Sequence, residues 1–240
     1  MSRIRIGTSG WSYLSWRGPF FPKNVMVKHH LQYYATQFSA TELNGVFYRT
    51  PTVEAVRGWR ENTPDDFVFA WKASKFITHW KRLTSKSRNS LALLESRLRI
   101  LGPKAGPILF QLPPQFTVSR ERLAGFLKLL KSSRRYAFEF VIQAGTSQRS
   151  STCCARTTFL CLSDHHDAPA PWEVTSSFVY VRGHGPRGTY KGHYSDKTLR
   201  SWARQIAAWR RGGRDVYVYF DNDQKSAAPA DAAKLQRLLE

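Results

Sequence analysis

Polar side chains that could take part in catalysis or binding follow the apolar, strand-like runs of this 240-residue chain. They comprise hydroxyls, carboxylates, amides and basic groups: Thr8, Ser9, Glu42, Asn44, Lys72, Gln111, Glu139, Asp164, His165, Arg182, His184, Asp221 and Asn222. A strand buried on both faces rarely carries polar groups unless they pair with each other or with a ligand. These residues therefore indicate one shared polar site that could serve catalysis or ligand binding.

Glu42 and His184 are the two candidates for proton transfer. Glu42 and Asn44 are two residues apart, so on one strand they point to the same face. A carboxylate in a partly dry site can have a raised pKa and accept a proton, and histidine titrates near neutrality. The alternatives are a structural Glu42 paired with Lys72 or Arg182, and a hydrogen-bonded structural histidine.

The residues predicted to hold a ligand combine cations, amides and aromatic rings. Arg182 has a planar guanidinium that suits a carboxylate or a phosphate. Lys72 could bind an anion or, if desolvated, form a Schiff base; we expect anion binding, because no flanking feature indicates a lowered pKa. Aromatic side chains after the first strand could stack on a sugar or a base. The predicted binding set is Trp11, Tyr13, Asn44, Lys72, Gln111, Arg182 and Asn222.

The sequence predicts neither a metal site nor a cofactor. Several residues are suitable ligand types, but the chain lacks the HxH and HExxH spacings that would sharpen a metal assignment. Cys153 and Cys154 are adjacent and have no second CxxC pair, so zinc is not expected.

Strand-like and helical runs alternate along the whole chain. The eight strand candidates are RIRIGTS, ATELN, FVFAWKAS, GPILFQL, YAFEF, FLCLSD, FVYVRGHG and DVYVYFDND. Such alternation indicates right-handed crossovers and a parallel sheet, and eight units in about 250 residues suit a closed barrel. We predict an α/β fold, a single (β/α)8 TIM-like barrel domain over residues 1–240, with the polar set at its C-terminal mouth. An open doubly wound sheet is the alternative, disfavoured because GTSGW lacks the G-x-G-x-x-G fingerprint.

One segment breaks the alternation. VIQAGTSQRSSTCCARTT, residues 141–158, has weak helix propensity and no apolar stripe, so we expect an irregular segment in place of the fifth helix. Read one base earlier, its possible codons permit Arg-His-Pro-Ser-Trp directly after FEF and then a helical continuation. We interpret the segment as a compensated frameshift, in the gene or in its sequencing.

Longer motifs resemble a known family. They are IGTSGWSYLSWRGPFFP, ELNGVFYRTP, TPDDFVFAWKASKFITH, AGPILFQLPPQF, YAFEF, FVYVRGHG, YKGHYSDKTLRSWA and VYVYFDNDQKSAAPADA. Together they resemble the YecE-like family, also called domain of unknown function 72. The resemblance implies a TIM-like barrel and no particular reaction. The chain departs from the family pattern after FEF, at Gly45-Val46, and at Ser226, where glycine is common.

The composition of the chain limits which classes of binding partner are expected. The formal net charge is +20, which would attract nucleic acid, but the basic residues are scattered, so solvated helix faces are favoured. No apolar run approaches the roughly 20 residues that cross a bilayer, and the opening MSRIRIGTSGW lacks the longer apolar core of a secretory signal. With three cysteines and no disulfide framework, we expect a cytoplasmic protein without a membrane partner.

These observations favour a barrel protein that binds or transforms a small polar, anionic ligand. Whether it is an enzyme stays open. The alternatives are a nucleic-acid-associated binder or nuclease, and an inactive, degraded family member.

Overall fold

Parallel strands alternate with helices in the computed structural model, which describes residues 2–114, 116, 119–140, 161–165, 172, 174 and 176–240. The strands are β1 Ile4–Thr8, β2 Ala40–Leu43, β3 Val68–Lys72, β4 Ala105–Gln111, β5 Tyr136–Glu139, β6 Cys161–Ser163, β7 Phe178–Gly183 and β8 Asp215–Phe220. The α-helices of this described part are α1 His30–Gln37, α2 Val53–Glu61, α3 Arg88–Leu101, α4 Arg120–Leu127, α5 Asp196–Arg211 and α6 Ala227–Arg237. Residues 141–158, the predicted irregular segment and frameshift, lie outside the described residues.

The strands form two four-stranded parallel sheets. One has the order β1-β8-β7-β6 and the other β2-β3-β4-β5. At one seam an isolated parallel bridge joins Ser9 to Glu42, and the Gly10 amide donates to the Glu42 carbonyl at 2.7 Å. At the other seam β5 lies beside β6. The strands thus follow one another in chain order, and the predicted α/β fold of the TIM-barrel type is confirmed.

A glycine and a tyrosine shape the seam between β1 and β2. A Cβ on Gly7 would lie 1.9 Å from the Ala40 carbonyl oxygen, so only glycine permits this approach. The Tyr34 hydroxyl, on α1, accepts from the Thr8 amide at 2.8 Å and donates to the Ala40 carbonyl at 3.1 Å. This side chain therefore bridges the two backbones where a regular ladder is interrupted.

Alternation along the strands separates two apolar clusters. The larger lies between the strands and the surrounding helices and includes Phe69, Trp71 and Leu98. The smaller lies inside the barrel and consists of Ala40, Ala70, Leu109, Ala137, Cys161, Phe178, Tyr180, Tyr217 and Tyr219. Because side chains two residues apart share a face, the polar residues at the strand ends continue this inner face toward the mouth.

The longest helix illustrates how sequence sets the element boundaries. Ser195 precedes α5, and its hydroxyl accepts from the Thr198 amide at 3.1 Å as an N-cap. Its buried side chains recur at helical spacing, at Leu199, Trp202, Ala203, Ile206 and Trp209. Gly212 follows Arg211 and ends the helix, and Gly213 then takes a φ of 79°.

Within the described residues, none of the helices combines the length and the hydropathy that crossing a lipid bilayer requires.

Candidate functional site

Arg182 lies at the centre of the barrel mouth and is fully buried. Its Nε and Nη2 donate to Glu42 at 3.0 and 2.9 Å, and its Nη1 donates to Glu139 Oε2 at 2.8 Å. Nη2 also donates to Asp221 Oδ2 at 2.7 Å. The guanidinium thus binds three carboxylates of the protein itself, and its predicted contact with a ligand stays a prediction.

Glu42 is buried and accepts four hydrogen bonds. Besides the two from Arg182, the Ser9 hydroxyl donates at 2.5 Å and the Tyr180 hydroxyl at 2.7 Å. Burial alone would raise the pKa of Glu42, but Arg182, Lys72 and the hydroxyl donors outweigh it and hold this pKa below its usual value. The expectation of a raised pKa is therefore wrong, because this carboxylate is paired on both oxygens.

Glu139 is the second carboxylate held by Arg182. Its Oε2 also accepts from Gln111 Nε2 at 2.8 Å, which explains the amide at the end of β4. Burial acts to raise the pKa of Glu139, yet Arg182 and His184 lower it below the ordinary value. Among the described residues, Glu139 Oε1 is buried without a hydrogen-bond partner.

His184 is fully buried beside this cluster. Its Nε2 lies 2.9 Å from Arg182 Nη1 and 3.4 Å from Glu139 Oε1. Nδ1 lies 3.3 Å from the Ser163 hydroxyl and 3.5 Å from Asp164 Oδ1. Both ring nitrogens therefore face protein groups.

Lys72 has fewer hydrogen-bond partners than Arg182. It is only 5% exposed, and within the described part of the chain its ammonium has one hydrogen-bond acceptor, Asn44 Oδ1 at 3.1 Å. The ammonium also lies 4.6 Å from the centroid of the Phe47 ring. Burial, together with the charge of Arg182, lowers the pKa of Lys72, although Asp221 and Glu42 oppose this. The expectation that nothing would lower this pKa is wrong.

A cavity of about 420 Å³ opens between the segments that follow β1 and β2. Three residues of the predicted binding set, Trp11, Tyr13 and Asn44, line it. The Trp11 ring packs edge-on against Trp59 at 5.6 Å, and the Tyr13 hydroxyl donates to the Ser9 carbonyl at 2.6 Å. Asn44 lies between this cavity and Lys72, because it lines the former and contacts the latter.

The cavity also contains residues that the sequence analysis missed. Tyr48, Arg49 and Trp59 line it, the first two from the segment after β2 and the third from α2. Arg49 could have been found from its place in ELNGVFYRTP, since segments after barrel strands build the mouth. Trp59 could not have been predicted, because its position on α2 does not show that its side chain reaches the cavity.

Asn222 is not brought to the cavity. Its Nδ2 donates to the Gly192 carbonyl at 2.7 Å and to Asp231 Oδ2 at 2.8 Å. It thereby ties the segment before α5 to α6. Among the described residues, no group of three His, Cys, Asp or Glu side chains is arranged to hold a metal ion.

Comparison with known proteins assigns the chain to a family. Residues 5–240 match the family model described as "Protein of unknown function DUF72". The chain belongs to the DUF72 family. The resemblance inferred from the motifs is thus confirmed over nearly the whole sequence.

Relatives of the DUF72 chain extend this result. The UPF0759 protein YecE of Escherichia coli strain K12 is 33% identical over 113 residues, which cover 47% of this chain and 39% of YecE. The UPF0759 protein YunF of Bacillus subtilis is 24% identical over 99% of this chain and 95% of its own length. The crystal structure of a DUF72 family protein from Thermotoga maritima overlaps with a TM-score of 0.80 at 23% identity, covering 99% of each chain. That structural likeness establishes the shared fold.

Proposed function

We propose that this DUF72 protein binds a small polar ligand that carries a negative charge, in the cavity beside Lys72 at the barrel mouth. The observation that carries the proposal is the poorly partnered ammonium of Lys72. It is removed from water, yet in the described part of the chain only Asn44 accepts a hydrogen bond from it. An ammonium has three donors, and a buried donor without an acceptor is costly, so a ligand oxygen would stabilise it.

Lys104 provides the contrast within the same chain. It is 4% exposed, but its Nζ donates to the Arg60 carbonyl at 2.6 Å, the Thr63 carbonyl at 2.7 Å and the Thr63 hydroxyl at 3.3 Å. Lys104 precedes β4, at the N-terminal end of the strands, whereas Lys72 ends β3 at the mouth. The lysine whose donors are satisfied thus lies at the opposite end of the strands, and the poorly partnered one contacts Asn44, which lines the cavity.

The walls of the cavity indicate the kind of ligand. Trp11, Tyr13 and Trp59 supply aromatic surface that can pack against the apolar face of a sugar-like molecule. Arg49, exposed at the rim, adds a second positive charge suited to a carboxylate or phosphate. A sugar acid or a sugar phosphate combines both features.

The proposal covers binding and assigns no reaction. Glu42 and His184 remain candidates for proton transfer, but each now faces Arg182. Glu42 can accept a proton from a ligand only after Arg182 has moved away from it, because its pKa is held low by that pairing. Arg182 itself would organise the carboxylates around the site, with Gln111 fixing Glu139.

The test compares charged and neutral probes on matched variants. Gluconate and glucose 6-phosphate should raise the Tm of the wild-type protein, and glucose should raise it much less. Lys72→Met should abolish the shift with both charged probes. Circular dichroism and the Tm of the ligand-free variant check that it still folds, since Lys72 also offsets the buried carboxylates Glu42 and Asp221. Loss of the shift in the folded variant then cannot be ascribed to unfolding.

Lys104→Met is the matched control, because it removes a buried lysine whose donors are satisfied. It should lower the Tm of the free protein and leave the ligand-induced shift unchanged. If Lys72→Met responds to the charged probes as the wild type does, or if Lys104→Met loses the response equally, the ligand does not bind at Lys72.

A further inference from the structure

A second feature lies mainly on the segment between β3 and α3, and it borders the barrel mouth cavity through Tyr48, which follows β2. Five residues form what we name the aromatic–lysine patch: Tyr48, Lys75, Phe76, Trp80 and Lys81. The Lys75 ammonium lies 5.6 Å from the Tyr48 ring and 5.7 Å from the Trp80 ring. The Lys81 ammonium lies 4.8 Å from the Phe76 ring, and Phe76 packs edge-on against Trp80 at 5.1 Å. These contacts join the five side chains into one continuous surface.

The rings of the patch are turned toward solvent. Tyr48 and Trp80 are each 66% exposed and Phe76 is 40% exposed. Leaving three large aromatic side chains next to each other in water forgoes the burial that normally stabilises them, and such patches commonly mark interaction sites. We therefore expect a binding partner that packs against these flat apolar rings.

The backbone that presents the patch is irregular. Phe76–Trp80 forms a π-helical turn, a conformation that is rare and frequent at functional sites. Arg82 and Leu83, which follow Lys81 after this turn, have φ values of 47° and 56° in the left-handed region. Non-glycine residues in this region cost energy and concentrate at functional sites. The segment thus holds Trp80 outward at a cost in local backbone stability.

Charge identifies the partner class. The chain carries a net charge of +20, and the patch places ammonium groups between its rings. An acidic peptide would match the ammonium groups but not the rings, and a nucleic-acid duplex keeps its base faces stacked inside. Single-stranded nucleic acid offers both regularly spaced phosphates and open base faces.

We propose that the aromatic–lysine patch binds single-stranded nucleic acid, with bases stacked on Trp80 and Tyr48 and phosphates paired with Lys75 and Lys81. The patch shares Tyr48 with the cavity lining, but none of the argument for nucleic-acid binding uses Lys72 or the ligand proposed for the cavity. It gives a local reason for a function that bulk charge alone had not favoured.

The test measures binding of fluorescein-labelled oligo(dT) and oligo(rU), each of roughly 20 nucleotides, by fluorescence anisotropy. Affinity should fall steeply between about 50 and about 200 mM salt. A duplex of the same length should bind more weakly. Trp80→Ala should weaken oligo(dT) binding by about 5-fold or more. Lys75→Ala combined with Lys81→Ala should reduce the log–log salt slope by about 1.4, since each phosphate contact on a single strand contributes about 0.7.

The matched control removes two charges elsewhere. Arg210 and Arg211 are exposed at the end of α5, near Ser2 at the N-terminal end of β1, where the Ser2 hydroxyl donates to the Arg210 carbonyl. Arg210→Ala combined with Arg211→Ala should leave both the affinity and the salt slope nearly unchanged. The proposal is overturned if the wild type does not bind either oligomer at low salt. It is also overturned if the control pair weakens binding as much as the lysine pair, or if the folded Trp80→Ala variant, checked by circular dichroism, binds like the wild type.

Discussion

The charged interior depends on Arg182. Its guanidinium is fully buried and is hydrogen-bonded to Glu42, Glu139 and Asp221, so one cation pairs with carboxylates from three strand ends. Burial alone would lower the pKa of Arg182, but these carboxylates hold it above its usual value. The attraction offsets desolvation only while both sides are present, and removal of the arginine leaves uncompensated buried negative charges.

Arg182→Met should therefore lower the free energy of unfolding at neutral pH by about 3–5 kcal/mol or more. The deficit should shrink as the pH falls, because the carboxylates then become protonated. Urea unfolding of the variant and the wild type at several pH values measures both effects. A deficit below about 1 kcal/mol, the average effect of a single substitution, would show that the cluster does not depend on this arginine.

The helix α6 begins with strained backbone. Ser226, its N-cap, has φ 60° and ψ 27°, in the left-handed region that favours glycine. The Ser226 hydroxyl donates to the Ser15 carbonyl at 3.3 Å, which connects α6 to the segment after β1. This backbone conformation gives a physical reason to expect glycine here, as the resemblance implied, and serine departs from that expectation.

Two substitutions separate the backbone effect from the hydrogen bond. Ser226→Ala and Ser226→Gly both remove the hydroxyl, but only glycine relieves the left-handed conformation. We expect the Gly variant to be more stable than the Ala variant by about 1 kcal/mol. Thermal and urea unfolding of the pair measure the difference, and equal stabilities would mean that the backbone at Ser226 is not strained.

At the scale of the whole molecule, buried carboxylates link stability to pH. The folded-state pKa values of Glu42 and Glu139 lie below the ordinary glutamate value of 4.5, because Arg182 and the hydrogen bonds outweigh burial. A depressed pKa means that the unfolded chain binds protons first as the pH falls. The stabilisation is therefore complete above the ordinary value and is lost progressively below it.

The free energy of unfolding should accordingly fall as the pH drops below 4.5, the ordinary glutamate pKa. Repulsion among the surface charges of this basic chain adds to the loss, but about 0.5 M salt screens exposed charges far more than buried ones. Urea unfolding across this pH range in high salt should retain a slope, and Glu139→Gln should flatten it. An unchanged slope in that variant would contradict the role of Glu139.

The sequence predicted the approximate location of the site residues better than it predicted the partners of their side chains. Position at the C-terminal ends of parallel strands predicts that Glu42, Lys72, Gln111, Glu139 and Arg182 share the barrel mouth, and the structure brings them together. That position did not predict that Asn222 contacts Asp231, or that Trp59 lines the cavity. Strand-end position fixes an approximate location, whereas partner choice depends on distances between segments far apart in the chain.

By itself, the sequence determined the family, the β/α alternation and hence the barrel, because hydrophobic periodicity and backbone geometry are local properties. Only the tertiary structure decided that Arg182 serves three carboxylates while Lys72 keeps one partner. It also decided the direction of each buried pKa. The physical reason is that burial and Coulomb energy depend on separation in space, and the side chains concerned lie as much as 140 positions apart along the chain.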